Sequence, residues 1–269
     1  MSENQPVGLQ AAPEPPHAIV AEGLTKVFRK RIAVDRISLQ VARGRFFGFL
    51  GPNGAGKSTT IKMLTGLLRP TAGEVRIEGR RLADDLLGIK RAIGVLPEEL
   101  ALYERLTGEE YLHFAGRMYG LSRAETRSRT EELLEFLSLT EERGKLIVDY
   151  SLGMRKKVAL AAALIHNPQV LFLDEPLNGI DPISGRVVSD LLRRLAHKGV
   201  TLFFTSHVLD VVERLCDEVA VIDHGRIVAQ GTLDEIRAQR ALGADASLED
   251  VFLKLVAADV SREDLSWIG

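Results

Sequence analysis

The chain is poor in cysteine, in tryptophan, in long apolar runs and in any surplus of charge. Its one cysteine, Cys216, can form no disulfide within the chain, which removes the disulfide-stapled secreted scaffolds and suits a reducing cytosol. Cys216 closes the helical pattern Val208-Leu209-x-Val211-Val212-x-x-Leu215-Cys216, so it reads as a buried structural thiol. The longest apolar run, Val158 to Ile165, falls far short of the roughly 18 residues that span a bilayer, and the chain is expected not to cross a membrane itself. With 35 basic and 37 acidic residues the formal net charge is -2, which leaves no electrostatic footprint for nucleic acid and no polybasic membrane tail. Met1 to Pro16 is polar and proline-rich without the basic and apolar regions of a signal or transit peptide, and reads as a disordered arm. Internal repeats and low-complexity tracts are also missing.

What the sequence does have is an ordinary globular composition, 45% hydrophobic and 27% charged, and one stretch that organises the rest. Phe46-Phe47-Gly48-Phe49-Leu50 is an apolar strand that runs into Gly51-Pro52-Asn53-Gly54-Ala55-Gly56-Lys57-Ser58-Thr59. Gly51 to Ser58 fit G-x-x-x-x-G-K-[ST], whose glycines let backbone N–H groups wrap a diphosphate while Lys57 reaches outer phosphates and Ser58 reaches Mg²⁺. A helix expected over Lys57 to Leu68 adds its positive dipole end. Strand, cradle and helix together predict nucleotide binding.

Around this stretch, Ala18 to Ala21 and Leu39 to Val41 read as short strands of a small antiparallel sheet, and Glu74 to Ile77 as an exposed strand. Ile93 to Leu96 is a buried-type strand. From Thr107 to Leu139 the pattern turns helical, opened by the capping boxes Thr107-x-x-Glu110 and Ser122-x-x-Glu125. Helix resumes from Leu152 to His166. The strands Val170 to Leu173, Leu202 to Thr205 and Val219 to Ile222 then alternate with helices that begin after Asp181-Pro182 and His207, which predicts a parallel sheet. Arg226 to Ala229 closes the sheet, and two short helices follow. Asp174 and Glu175 end an apolar strand where an open sheet of this kind presents ligand groups. Beside a phosphate loop, Asp174 suits a water-mediated hold on Mg²⁺ and Glu175 suits orienting or deprotonating the attacking water. His207, in Thr205-Ser206-His207, follows the next buried strand at the same sheet edge and is expected to contact the γ-phosphate.

Taken with the phosphate loop, Tyr150-Ser151-Leu152-Gly153-Met154, Leu171-Phe172-Leu173-Asp174-Glu175-Pro176, Asn178-Gly179-Ile180-Asp181 and Thr205-Ser206-His207 make the chain resemble an ATP-binding cassette ATPase from about Ile19 to Arg237. The resemblance implies a P-loop NTPase core of RecA-like α/β type with a mostly parallel sheet, a small N-terminal antiparallel subdomain and a helical insert over about residues 99–150. It implies an ATPase domain over 18–238 after the arm 1–17, with a helical tail at 239–269. Phe28 then stacks on adenine, Asn53 to Thr59 hold the phosphates, and Ser151 and Gly153 meet the γ-phosphate of ATP held by a second subunit. The position of Ser151 at a helix start is consistent with such an anion site, and equally with a plain helix cap. Asp181 matches the loop that crosses the dimer interface. Leu152 and Met154 depart from the commonest signature, and Glu98 in Pro97-Glu98-Glu99 stands where most members carry the glutamine that touches Mg²⁺ and the transmembrane partner. These variants, and the tail Ser247-Leu248-Glu249-Asp250-Val251-Phe252-Leu253, resemble type-2 exporters. The implied protein is a cytoplasmic ATPase, peripheral on the membrane through a separate permease, that uses ATP and Mg²⁺ for export. It works as a homodimer or beside a second cassette ATPase, without nucleic acid. Competing readings are a soluble cassette ATPase on a nucleic-acid or cluster-assembly machine, disfavoured by the neutral charge, and a nucleotide-gated scaffold without hydrolysis, disfavoured by intact Lys57, Asp174, Glu175 and His207.

Overall fold

Two antiparallel strands of twelve residues, β1 (His17–Phe28) and β2 (Arg31–Ala42), begin the fold. Sequence alternation revealed only their ends. Register shifts after Ala21, Leu24 and Lys26 interrupt the two-residue period from which strands are read, so the middle of the hairpin does not look like one. The structure, a computed structural model, describes residues 16–239 and 247–256. The predicted arm, apart from residues 16 and 17, and residues 240–246 and 257–269 of the predicted tail lie outside the described residues.

The phosphate-loop strand β3 (Phe46–Leu50) leads to α1 (Lys57–Leu64), one turn shorter than its pattern predicts because Thr65 caps it and Gly66 follows in the left-handed region. Strands β4 (Ala72–Ile77) and β5 (Arg80–Arg81) join the hairpin in a four-stranded sheet of order β2-β1-β4-β5. After α2 (Leu86–Ala92) comes β6 (Ile93–Leu96), and then the predicted helical insert, α3 (Gly108–Met118) and α4 (Arg123–Phe136). Both of its capping boxes form, each with a side chain accepting from the third helical residue and the glutamate reaching back.

Helix α5 (Leu152–Leu164) returns the chain to β7 (Val170–Asp174). The remainder is α6 (Pro182–His197), β8 (Thr201–Thr205), α7 (Leu209–Leu215), β9 (Glu218–Asp223), β10 (Arg226–Gly231), α8 (Leu233–Gln239) and α9 (Leu248–Val256). The second sheet has the order β10-β9-β3-β8-β7-β6 and is parallel except at β10. Both faces of it are covered. Phe46 and Leu50 point into the core shared with α5, α6 and α7, while Phe47 and Phe49 point into the core shared with α1 and the antiparallel sheet. Phe47, Phe49, Phe172 and Phe203 form one aromatic cluster with centroid separations of 5.3 to 5.6 Å, each ring contributing about 1.5–3 kcal/mol through burial. Cys216 packs against Gly48, where an added Cβ would lie 3.1 Å from its sulfur. Cys216 is partly buried rather than wholly so as its pattern predicts, and burial, then the carboxylate of Asp217, push this thiol well above the ordinary range, which keeps it protonated.

Candidate nucleotide site

The end of β3 is built for an anion. An added Cβ on Gly51 would fall 2.2 Å from the Ile222 carbonyl oxygen, so only glycine lets the chain leave the sheet this close to β9. Gly56, at φ 113°, opens α1 with no side-chain cap and no acid in the first turn. Helices α3 to α6 are each capped by a side chain. The donor end of α1 is therefore left for a ligand. Lys57 is 8% exposed and its ammonium donates to the carbonyls of Gly51 at 2.8 Å and Pro52 at 3.2 Å, which keeps it over the loop.

Sheet order brings the acids here. Strand β8 inserts between β3 and β7, pairing Phe49 and Asp174 with the same residue, Thr205. The Thr205 hydroxyl donates to Asp174 Oδ1 at 2.6 Å and accepts the Glu175 N–H at 3.1 Å. Glu175 itself takes φ 49°, a strained conformation for a side chain other than glycine. Its Oε2 accepts from the His207 amide at 3.4 Å and from His207 Nδ1 at 2.9 Å. Because a carboxylate only accepts, this contact places the imidazole proton on Nδ1. Lys156, buried on α5, donates to the Glu175 carbonyl oxygen at 2.7 Å. Thr205 and Lys156 were not singled out as positioning groups from sequence; a threonine ending a buried strand and a lysine inside an apolar helix were the only signals.

A cleft of about 410 Å³ gathers Phe28, Asn53, Gly54, Gly56, Lys57, Ser58, Thr59, Glu98, Asp174 and Glu175. Arg31 and Ala33, which carried no sequence signal, line it too. Ala55 does not: its methyl is buried and its N–H donates to the Pro52 carbonyl at 3.2 Å, inside the loop. His207 reaches the cleft only through Glu175. Ser151, Gly153 and Asp181 lie outside it and close to one another, since a Cβ on Gly153 would sit 3.9 Å from Ser151 Oγ and 4.0 Å from Asp181 Oδ2. Ser151 accepts from the Met154 N–H at 3.3 Å, capping α5 while its own O–H stays available to donate. Asp181 caps α6, and the bonds from Ser184 hold its carboxyl below the usual range.

The family model described as ABC transporter matches residues 34–178, more than half of the chain. The chain belongs to the ABC transporter family. It is 40% identical over 229 residues to a linearmycin resistance ATP-binding protein of Bacillus subtilis, covering 85% of this chain and 73% of that one. It is 43% identical over 224 residues to a daunorubicin/doxorubicin resistance ATP-binding protein of Streptomyces peucetius, covering 83% and 68%. Among solved structures it resembles an ATP-binding subunit of an ABC transporter, with a TM-score of 0.84, 35% identity and coverage of 88% and 99%. It also resembles the cassette MJ0796 in a dimeric post-hydrolysis state with ADP and Pi, with a TM-score of 0.75, 26% identity and coverage of 80% and 98%. The chain is thus an ATP-hydrolysing ABC subunit with the expected P-loop α/β fold. Among its described residues no helix is long and apolar enough to cross a membrane.

The donor set also suits the Mg²⁺ that the sequence resemblance implies. Among the described residues no three His, Cys, Asp or Glu side chains gather into a metal cage. Ser58, Glu98 and Asp174 bring oxygen donors to one cleft, too few to enclose an ion but matched to Mg²⁺, which keeps its waters and takes phosphate oxygens.

A second cavity of about 360 Å³ lies between the ABC core and the helical insert. Phe114, Met118 and Tyr119, predicted from their helical spacing, line it at 41, 70 and 40% exposure, and Tyr103, which the spacing did not reveal, lines it at 58%. Tyr111 is more covered and packs near Tyr103, with ring centroids 6.2 Å apart. Phe114 meets the Tyr103 ring edge-on at 5.2 Å, and Tyr119 stacks on His166 at 3.6 Å, so the insert presents ordered apolar surface.

Proposed function

We propose that this subunit binds Mg·ATP in the cleft at the end of β3, hydrolyses it in a head-to-tail dimer, and drives a separate permease for export. The observation that carries this is the split of the site: an uncapped helix terminus, Lys57, Asp174 and Glu175 face one cleft, while Ser151, Gly153 and Asp181 sit together outside it. A second copy completes the arrangement by presenting Ser151 and Gly153 to the γ-phosphate and Asp181 to the interface. Phe28 offers its half-exposed ring to adenine, with the Lys26 ammonium 5.1 Å from its centroid on the same strand. The loop amides and Lys57 orient the phosphates, and Ser58, Asp174 and Glu98 hold Mg²⁺. When bound, the cation supplies charge neutralisation of the leaving phosphate oxygens. Glu175 takes the proton of the attacking water, and His207 fixes that carboxylate through Nδ1–H and contributes toward the γ-phosphate. Export is favoured by the relatives named for resistance to linearmycin, daunorubicin and doxorubicin. Attachment to the cytoplasmic membrane face comes through the permease.

The role of Glu98 separates two variants. Glu98→Gln is expected to keep transport-coupled hydrolysis within about threefold of the parent, because an amide oxygen can still meet the cation. Glu98→Ala removes the ligand and the link to the partner surface, and is expected to lose roughly tenfold or more, on the order of 1.4 kcal/mol. Assays of both in the assembled transporter decide this, and equal near-parental rates would remove the role.

The permease is expected to seat on the apolar insert groove. Phe114→Glu and Met118→Glu should leave dimerisation and basal hydrolysis near the parent level. Co-purification of a polytopic protein from detergent-solubilised membranes should fall below detection. Normal capture and normal transport by both variants would move the docking surface elsewhere.

A further inference from the structure

We propose that Lys156 is a positioning residue for Glu175, tying the helix whose start meets the partner's nucleotide to the acid that works on the chain's own nucleotide. The inference rests on the assignment of Glu175 as the base. Lys156 is the fifth residue of α5 and only 5% exposed, with its ammonium 2.7 Å from the Glu175 main-chain oxygen. A cation buried on a helix is costly, and an apolar side chain of the same length would pack against the same neighbours without that cost. Burial draws the lysine below its ordinary range, opposed by the charges of Glu175, Glu98 and Asp174. The group is thus held among the cleft's acids.

Four residues fix Glu175 in its left-handed conformation: Thr205 accepts from its N–H, His207 donates to its carboxylate, and its carbonyl oxygen accepts from the Lys156 ammonium at 2.7 Å and, more weakly, from the Asn178 N–H at 3.3 Å. Of these only Lys156 comes from outside the strand ends and the loop that follows β7. At its far end α5 is seated on β6, where a Cβ on Gly94 would lie 2.3 Å from the Ala163 carbonyl oxygen and His166 Nε2 lies 2.9 Å from the Ile93 oxygen. The Ser151 end is held by side-chain bonds instead, Arg155 donating to the Tyr150 and Val148 carbonyls at 3.2 and 2.7 Å and Lys156 to Glu175. A phosphate contact there that shifts the first turns of α5 carries Lys156, and with it the Glu175 peptide, so occupancy of one nucleotide site adjusts the base of the other.

Lys156→Met keeps the length and removes the donor, whereas Lys156→Gln keeps an N–H donor without charge. Steady-state hydrolysis and binding of a fluorescent ATP analogue are measured for both full-length variants, with Glu175→Gln alongside. Lys156→Met is expected to lower kcat at least tenfold while analogue affinity stays within twofold. Lys156→Gln is expected to recover kcat to within about threefold of the parent. Parental kcat in Lys156→Met, a loss of affinity in proportion to kcat, or a Lys156→Gln variant as slow as Lys156→Met would each overturn the proposal. Parental turnover in Glu175→Gln would instead remove the base assignment on which it rests.

Discussion

Glu175→Gln is expected to bind ATP as the parent does and to hydrolyse it about 10²- to 10⁴-fold more slowly, the range that positioned general bases contribute. The substitution keeps the side chain's size in a site where Glu175 is 5% exposed, so its cost falls on proton transfer and not on packing. The amide oxygen can still accept the His207 Nδ1–H, which now stands at 2.9 Å from Oε2, and the Thr205 and Lys156 bonds are made to the main chain and survive. Binding groups are untouched: the α1 terminus, Lys57 and the loop amides lie on a different segment. A dimer held closed by unhydrolysed ATP should therefore accumulate, seen as an ATP-dependent shift in size-exclusion elution. Phosphate release measured under saturating ATP tests the assignment directly. Turnover at the parent rate would falsify it.

Lys57→Ala is expected to act on binding itself. The ammonium is held over the loop by the Gly51 and Pro52 carbonyls, 2.8 and 3.2 Å away, close to where β3 hands the chain to α1. Charged hydrogen bonds of this kind contribute about 1.5–3 kcal/mol, which corresponds to roughly a ten- to hundredfold rise in the dissociation constant for ATP. Removing the side chain also leaves the Gly51 and Pro52 carbonyl oxygens without their donor, which adds to the loss. Equilibrium titration with a fluorescent ATP analogue distinguishes this variant from Glu175→Gln, which loses turnover at unchanged affinity. Unchanged affinity in Lys57→Ala would overturn the cradle reading of Gly51 to Thr59.

The sequence by itself determined the chemistry and the class of fold. Gly51 to Ser58 could be read because each residue type answers a local demand: glycine where the chain brushes Ile222, lysine where a cation must reach phosphates, a hydroxyl at the helix start. The buried strands and the amphipathic or capped helices were legible because their periods and caps lie within a few residues of one another. Asp174 and Glu175 were legible as the polar end of an apolar strand. The β1–β2 hairpin was half lost, because its register shifts break the very alternation that marks a strand. Tertiary structure alone decided which strand lies beside which. Nothing in the order of the chain tells that β8 slides between β3 and β7, yet that placement makes Thr205 the hydrogen-bond bridge between Asp174 and Glu175, and turns His207 onto the Glu175 carboxylate. Likewise only packing puts Ser151, Gly153 and Asp181 together outside the cleft and Lys156 against the Glu175 carbonyl. Periodicity records which face of an element is buried, whereas its neighbours are set by how two layers of side chains fill space between residues far apart in the chain.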